Sequence, residues 1–231
     1  MKFYELTATV FLKTDIHFSK SSELIGKNIN RAMLMDEDLK KYHKEKVYKY
    51  VFSNFYPTEG GGIYKANRMY VLNLRCFKEI YALKIKKCMQ DYESSDMRIV
   101  STEIREIKQK HIDFLETITP AIVTVDGKPW LLDGDILLLV QRIHANAEKK
   151  FKFFCNEEIG EVEDYFIEKL KILNKKPACY SYKGIKLLGN KFRIKVNEDE
   201  KSQKLAFIVL SSGLSEKNSS LGAGFCKCNW R

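Results

Sequence analysis

One short stretch of the chain holds two residue types that could move a proton and steady a phosphate. The run Leu39-Lys40-Lys41-Tyr42-His43-Lys44-Glu45-Lys46-Val47-Tyr48-Lys49 places a histidine six residues before a lysine. Histidine titrates near neutral pH and can serve as acid or base. Displacement at phosphorus without a metal needs a base, an acid and a stabiliser for the developing charge. His43 and Lys49 could share these tasks if the chain turns back between them. Taken alone, His43 reads better as a surface residue on a solvated basic helix end, and Lys49 as a lysine snorkelling at the start of a strand. Of the other three histidines, His144 lies beside an apolar stripe and reads as structural, while His17 and His111 have no catalytic neighbourhood.

A second stretch with chemical meaning lies near the end of the chain, Ser211-Ser212-Gly213-Leu214-Ser215-Glu216-Lys217-Asn218-Ser219-Ser220-Leu221-Gly222-Ala223-Gly224-Phe225. Glycines allow close backbone approach, successive N–H groups can form an anion-binding concavity, and Lys217 adds a charge. Phosphate is the expected ligand. The spacing fits neither a mononucleotide nor a dinucleotide phosphate loop. Phe225 to Trp230 reads as a final strand, and Cys226 and Cys228 share one of its faces as small core residues. A mobile Gly/Ser turn is the plain alternative.

The elements that must position these residues follow from periodicity. Lys2–Lys13 reads as a strand. Ser21 or Ser22 should cap a helix bearing Leu24, Ile25, Ile29, Ala32 and Met33, and Asp36 a short helix through Leu39, Tyr42 and His43. Strands are expected at Val47–Tyr56 and Ile63–Arg75 around a turn at 57–62. A helix over Phe77–Asp91 should use Ile80, Leu83 and Cys88, followed by a strand from Met97 to about Lys110. The order β-α-β-β-α-β is the ferredoxin-like arrangement, with a join near 113–119.

The second half repeats that order. A strand at Thr117–Val125 and a turn at Asp126-Gly127 lead to a helix capped by Asp133 or Asp135, with Ile136, Leu139, Val140, Ile143, Ala147, Phe151 and Phe154 as its stripe. Strands follow at Tyr165–Leu173 and Tyr182–Val196, then a helix over Glu200–Leu210, the glycine loop and the last strand. The expected fold class is α+β, two tandem ferredoxin-like domains over 1–115 and 116–231.

The chain of 231 residues carries a formal charge of +10, so a polyanion is a natural partner. No apolar run reaches the length of a membrane span, and no charged-then-apolar signal pattern opens the chain. Six cysteines show no CxxC pair and no zinc-like spacing with histidine, which points to a reduced, cytoplasmic protein without a metal or cofactor. Asp36-Glu37-Asp38 reads as a helix start rather than a metal cluster.

The order Gly213-Leu214, Glu216 to Ser219 and Gly222-x-Gly224-Phe225 resembles the signature of the CRISPR repeat-processing endoribonucleases of the RAMP superfamily. The family usually has another glycine where Ser215 stands, and this loop is one residue longer through Ser220. The resemblance implies metal-independent cleavage of CRISPR precursor RNA within its repeats. A 2′-hydroxyl would attack the adjacent phosphorus, leaving a 2′,3′-cyclic phosphate and a 5′-hydroxyl. A histidine after the first helix and a lysine six residues on are the family's acid/base and phosphate-stabilising cation, and His43 and Lys49 match that spacing. Where some members have a tyrosine in the preceding helix, Asn30 stands here; it can donate a hydrogen bond to phosphate but cannot act as a base.

Tyr42 and Tyr48 are candidate helpers. RNA contacts are expected from Gly213, Lys217, Asn218, Ser219, Gly222 and Gly224. Lys191, Arg193 and Lys195 share one face of a strand and form a second candidate RNA surface. Lys44, Lys46, Lys65 and Arg68 are candidate phosphate contacts near the histidine. The implied partner is repeat RNA, precursor and mature. Other subunits of an interference complex and a second copy of the chain stay open as partners. The rival reading is a non-cleaving RAMP-type subunit that only binds repeat RNA.

Overall fold

β1 (Lys2–Leu12) alternates inward Tyr4, Leu6, Ala8, Val10 and Leu12 with outward residues, as a strand with one helix-covered face must. The computed structural model describes residues 1–44, 49–132, 134–160 and 164–231. After β1 come β2 (Ile16–His17), α1 (Phe18–Met33), α2 (Glu37–Lys44), β3 (Tyr50–Phe52), β4 (Ile63–Tyr64), β5 (Met69–Cys76), α3 (Glu79–Asp91) and β6 (Met97–Lys108). The main sheet has the order β3-β5-β1-β6, every neighbouring pair antiparallel. That is the ferredoxin-like order, and α1 and α3 cover its apolar face.

The second half runs β7 (Ile112–Thr117), β8 (Thr124–Val125), β9 (Lys128–Pro129), α4 (Ile136–Cys155), β10 (Ile167–Ile172), β11 (Ala178–Tyr182), β12 (Ile185–Gly189), β13 (Phe192–Val196), α5 (Glu200–Ser212), α6 (Asn218–Leu221) and β14 (Cys226–Trp230). Its sheet order, β10-β13-β7-β14, repeats the first. The protein is therefore two tandem ferredoxin-like units, as the element order implies.

Several local expectations shift. α1 begins at Phe18, with His17 as the cap accepting from the Ser19 N–H. Ser21 and Ser22 lie buried inside it, and the Ser21 hydroxyl donates back to the Phe18 carbonyl. On α3 the buried stripe is Tyr81, Ala82, Ile85, Cys88 and Met89, so Ile80 and Leu83 face outward. Residues 113–119, expected as the join, are mostly β7, and a division at 115/116 would cut a central strand. The chain changes sheets at 109–111, and the strand expected over 117–125 starts at Ile112 because Ile112 and Leu115 are the residues that enter the second core.

The strand expected over Tyr182–Val196 is broken by the turn Lys183-Gly184, both at positive φ (48° and 81°), which folds β11 and β12 into a hairpin. Likewise 63–75 divides into β4 and β5. Asp36 and Asp135 cap α2 and α4 as expected, and Asp133 lies outside the described residues.

The two halves meet on buried contacts. Phe3, on the far face of β1, enters the second core against Phe207 at 5.2 Å between ring centroids. Arg75 of β5 donates to the Leu210 carbonyl at 2.8 Å and the Cys226 carbonyl at 2.6 Å, while its Nε donates to Glu5 at 2.7 Å. Its guanidinium stacks 4.2 Å from the Phe225 ring centroid. A buried charge must be paired to be tolerated, and every one of these partners sits where the sheets join.

Candidate active site

α1 supplies one wall of a cleft of about 990 Å³. Lys20, Lys27 and Arg31 recur seven and four residues apart, so they share its exposed face. The opposite wall is the hairpin tip, Tyr182 to Gly184, with Ser219 and Ser220 of α6. His43, half-buried near the end of α2, faces the same space, as does Asn30. The tip is fastened to α1 by the Lys183 N–H, which donates to the Glu23 carboxylate at 2.8 Å.

Small residues let the walls come this close. A Cβ on Gly26 of α1 would stand 2.4 Å from the Ser220 carbonyl oxygen. A Cβ on Gly222 would stand 2.4 Å from the Phe52 carbonyl oxygen, and its φ of 61° also favours glycine.

The N–H groups of the loop's glycines are turned inward. Gly213, Gly222 and Gly224 are buried, and their N–H groups donate to the carbonyls of Val209, Asn218 and Pro120. The N–H groups of Leu214, Glu216 and Leu221 are also used internally. These glycines serve close packing within the protein. Asn218 is likewise a brace, donating to the carbonyls of Ala223 at 2.7 Å and Leu214 at 3.2 Å. The groups that reach open space are Lys217, which is exposed, and the half-buried Ser219 and Ser220.

Lys150 of α4 holds this loop from beneath. Its ammonium donates to the carbonyls of Gly213 at 2.5 Å and Ser215 at 2.8 Å, and to the Asn218 side-chain oxygen at 2.8 Å. Burial among these neutral acceptors pulls its pKa down to about 7.

Lys49 is not on the strand; β3 starts at Tyr50. Its ammonium lies 4.3 Å from the centroid of the Tyr42 ring, the residue before His43, and 5.9 Å from that of Phe153 on α4. Tyr42 in turn packs edge-on to Tyr81 at 5.8 Å. Asn30 accepts a hydrogen bond from the Tyr50 hydroxyl at 3.1 Å. Tyr48 and Lys46 fall outside the described residues. His144 is structural, as expected: its Nδ1 accepts from the Phe166 N–H at 3.1 Å, which leaves the Nε2 proton facing Glu148.

The basic strand face is present but engaged. Arg193 pairs with Glu116 at 3.3 Å and Lys195 with Glu168 at 2.8 Å, and neither lines the His43 cleft. Lys65 and Arg68 pair with Asp15 and Glu59. The cations that do line the cleft, Lys20, Lys27, Arg31 and Lys183, were not singled out from sequence, although the spacing on α1 carried the signal. A separate, mostly apolar cleft of about 450 Å³ on Phe18, Phe55 and Tyr180 does not contain His43, and Lys49 lines neither cleft. Glu59 and Lys191 line it, so of the predicted basic strand face Lys191 opens onto this cleft rather than onto His43. Among the described residues, no group of three or more His, Cys, Asp or Glu side chains could hold a metal ion.

The half-buried His43 thus faces a cleft between two tandem ferredoxin-like units, α1 and α2 on one side and the hairpin tip and α6 on the other, which defines the class of the fold as α+β with paired ferredoxin-like units. No family model matches the chain. Over 98% of its length it superposes on 99% of a structure described as CRISPR associated protein Cas6, with a TM-score of 0.75 and 17% identity. It superposes as widely on a Cas6-related protein from Pyrococcus furiosus (98% of that chain, TM-score 0.74, 16% identity). A RAMP protein described as binding different RNA substrates matches over 98% of this chain and 99% of its own (TM-score 0.72, 16% identity). Among curated proteins, the CRISPR-associated endoribonuclease Cas6 2 of Methanocaldococcus jannaschii is 24% identical over 234 residues, covering 92% of this chain and 94% of that protein. The fold is that of the Cas6 proteins.

Proposed function

We propose that this protein is a CRISPR repeat-processing endoribonuclease that cuts precursor RNA by internal transfer. The observation that carries the reading is the placement of His43 in the cleft between α1, the hairpin tip and α6, in a fold shared with Cas6 proteins. The 2′-oxygen beside the scissile phosphate forms a bond to phosphorus, the P–O5′ bond breaks, and the 2′-hydroxyl proton leaves as the 5′-oxygen gains one. His43 is the group placed to transfer protons at one or both oxygens. Lys20, Lys27, Arg31 and Lys183 line the cleft and hold the backbone, and Lys49 stabilises the charge that builds on the phosphoryl oxygens. Asn30 is a hydrogen-bonding group on the same wall. Such a reaction on a fresh transcript places the protein in the cytoplasm.

The test is cleavage of the cognate repeat RNA in EDTA by wild type and His43→Ala, with a second substrate carrying a 2′-deoxy nucleotide at the cut. Wild type should cut and leave a cyclic phosphate, while each change should abolish cutting and leave binding intact. Equal cutting by His43→Ala would remove His43 from the mechanism. Binding without cutting by wild type would leave only a repeat-binding subunit.

A further inference from the structure

Beyond the His43 cleft the protein has a second groove, of about 480 Å³, that the cleavage chemistry does not use. Phe153 of α4 forms part of it with its ring 51% exposed. Its ring packs edge-on against Phe154 at 5.1 Å between centroids, and what it leaves open is bordered by cations. Lys149 precedes it by one helical turn and shares its face. Lys217 faces the groove from the loop, and the Lys49 ammonium stands 5.9 Å from the Phe153 ring centroid. Tyr182, Ser219 and Ser220 line both the groove and the His43 cleft, so the two spaces adjoin across these residues.

An open aromatic face bordered by lysines is the arrangement that binds unpaired nucleotides. The ring stacks a base of any sequence, and the ammonium groups follow the backbone. We infer that Phe153, Lys149 and Lys217 form a platform for one unpaired nucleotide next to the scissile phosphate. The base lies on Phe153 while the cut phosphate sits beside His43. Within double-helical RNA both faces of each base are covered by stacked neighbours, so away from a helix end the platform takes only an unpaired nucleotide, one on a single-stranded flank at the cut. This inference rests on the RNA-cleaving function proposed above.

The test uses the whole protein and a repeat RNA made uncleavable by a 2′-deoxy nucleotide at the cut, once wild-type cleavage has located that position. Abasic nucleotides are placed one at a time on either side of the cut, and affinity is read by fluorescence anisotropy. One abasic position should weaken wild-type binding roughly five- to hundred-fold, the range for loss of a base stacked on an aromatic ring. In Phe153→Ala the same abasic change should cost almost nothing, because the stacking partner is already gone. Phe153→Trp should restore the penalty. The exposed position keeps both variants folded, which matching thermal melts would confirm. If every abasic change weakens Phe153→Ala as much as wild type, the platform is overturned while the endoribonuclease reading stands. If wild type neither binds nor cuts the repeat, that reading falls and the platform falls with it.

Discussion

Gly26 of α1 rests against the carbonyl of Ser220, so close that a Cβ would stand 2.4 Å from the oxygen. Through this contact the first ferredoxin-like unit fixes the width of the cleft that His43 faces. α1 carries the cations and α6 the serines, and the two backbones are held with nothing between them.

Gly26→Ala should therefore force α1 and α6 apart. Overpacking of a tight contact costs about 1–3 kcal/mol, which thermal or urea melting should register. Cleavage should fall more than binding, because the cations would still meet the backbone while His43 loses its distance to the cut. An unchanged melting point and cleavage rate would show that the contact does not set the cleft.

Lys49 over the Tyr42 ring makes a second prediction. Removing a group that stabilises transition-state charge costs about 10²–10³-fold in rate, so Lys49→Ala should slow single-turnover cleavage on that scale. The role of Tyr42 is its ring face, since cations are drawn to aromatic faces. Tyr42→Phe keeps that face and should cut at nearly the wild-type rate. A large loss in Tyr42→Phe would instead assign the hydroxyl a part in the chemistry.

Much of this arrangement is legible in the sequence, for physical reasons that differ by element. β14 alternates covered and exposed residues, and Asp36 and Asp135 announce their helices by capping. The hairpin of β11 and β12 is hidden because its turn is Lys183-Gly184, where a lysine takes positive φ and composition gives only one glycine as a sign. The glycine loop is visible as a motif, yet composition cannot say whether its N–H groups face a ligand or the protein. Here those of the three glycines face the protein. Lys20, Lys27 and Arg31 escape notice because apolar core residues of α1 are interleaved with them. His43 and Lys49 are conspicuous as a pair, but only the fold shows that Lys49 sits on Tyr42.

The buried pair of Arg75 and Glu5 yields a stability prediction. Burial pushes the Glu5 carboxyl up, but the charges and hydrogen bonds of Arg75 and Arg105 outweigh it and hold it below the ordinary carboxylate range. Its stabilisation is present above the unfolded pKa and is lost as pH falls through the lowered folded value. Glu5→Gln leaves Arg75 buried without its countercharge, and breaking such a pair costs about 3–5 kcal/mol. Urea melting at neutral pH should show that loss, and the gap between variant and wild type should close in acid. A constant gap at all pH values would mean that charge is not its source.

Lys150 carries the opposite linkage. The unfolded lysine keeps its proton up to about 10.5, whereas burial lowers the folded value to about 7. Between those values the unfolded chain binds more protons, so the contribution of Lys150 to stability rises with pH. Lys150→Met removes the titration but strands the carbonyls of Gly213 and Ser215 and the Asn218 oxygen. The variant should be less stable throughout, because stranded buried acceptors cost about 1–3 kcal/mol each. Its deficit relative to wild type should widen as pH rises from 7 to 10. The comparison isolates Lys150 because the other lysines titrate alike in both proteins. A deficit that stays flat across that range would mean the ammonium keeps its proton under the loop, held by its three acceptors against the cost of burial.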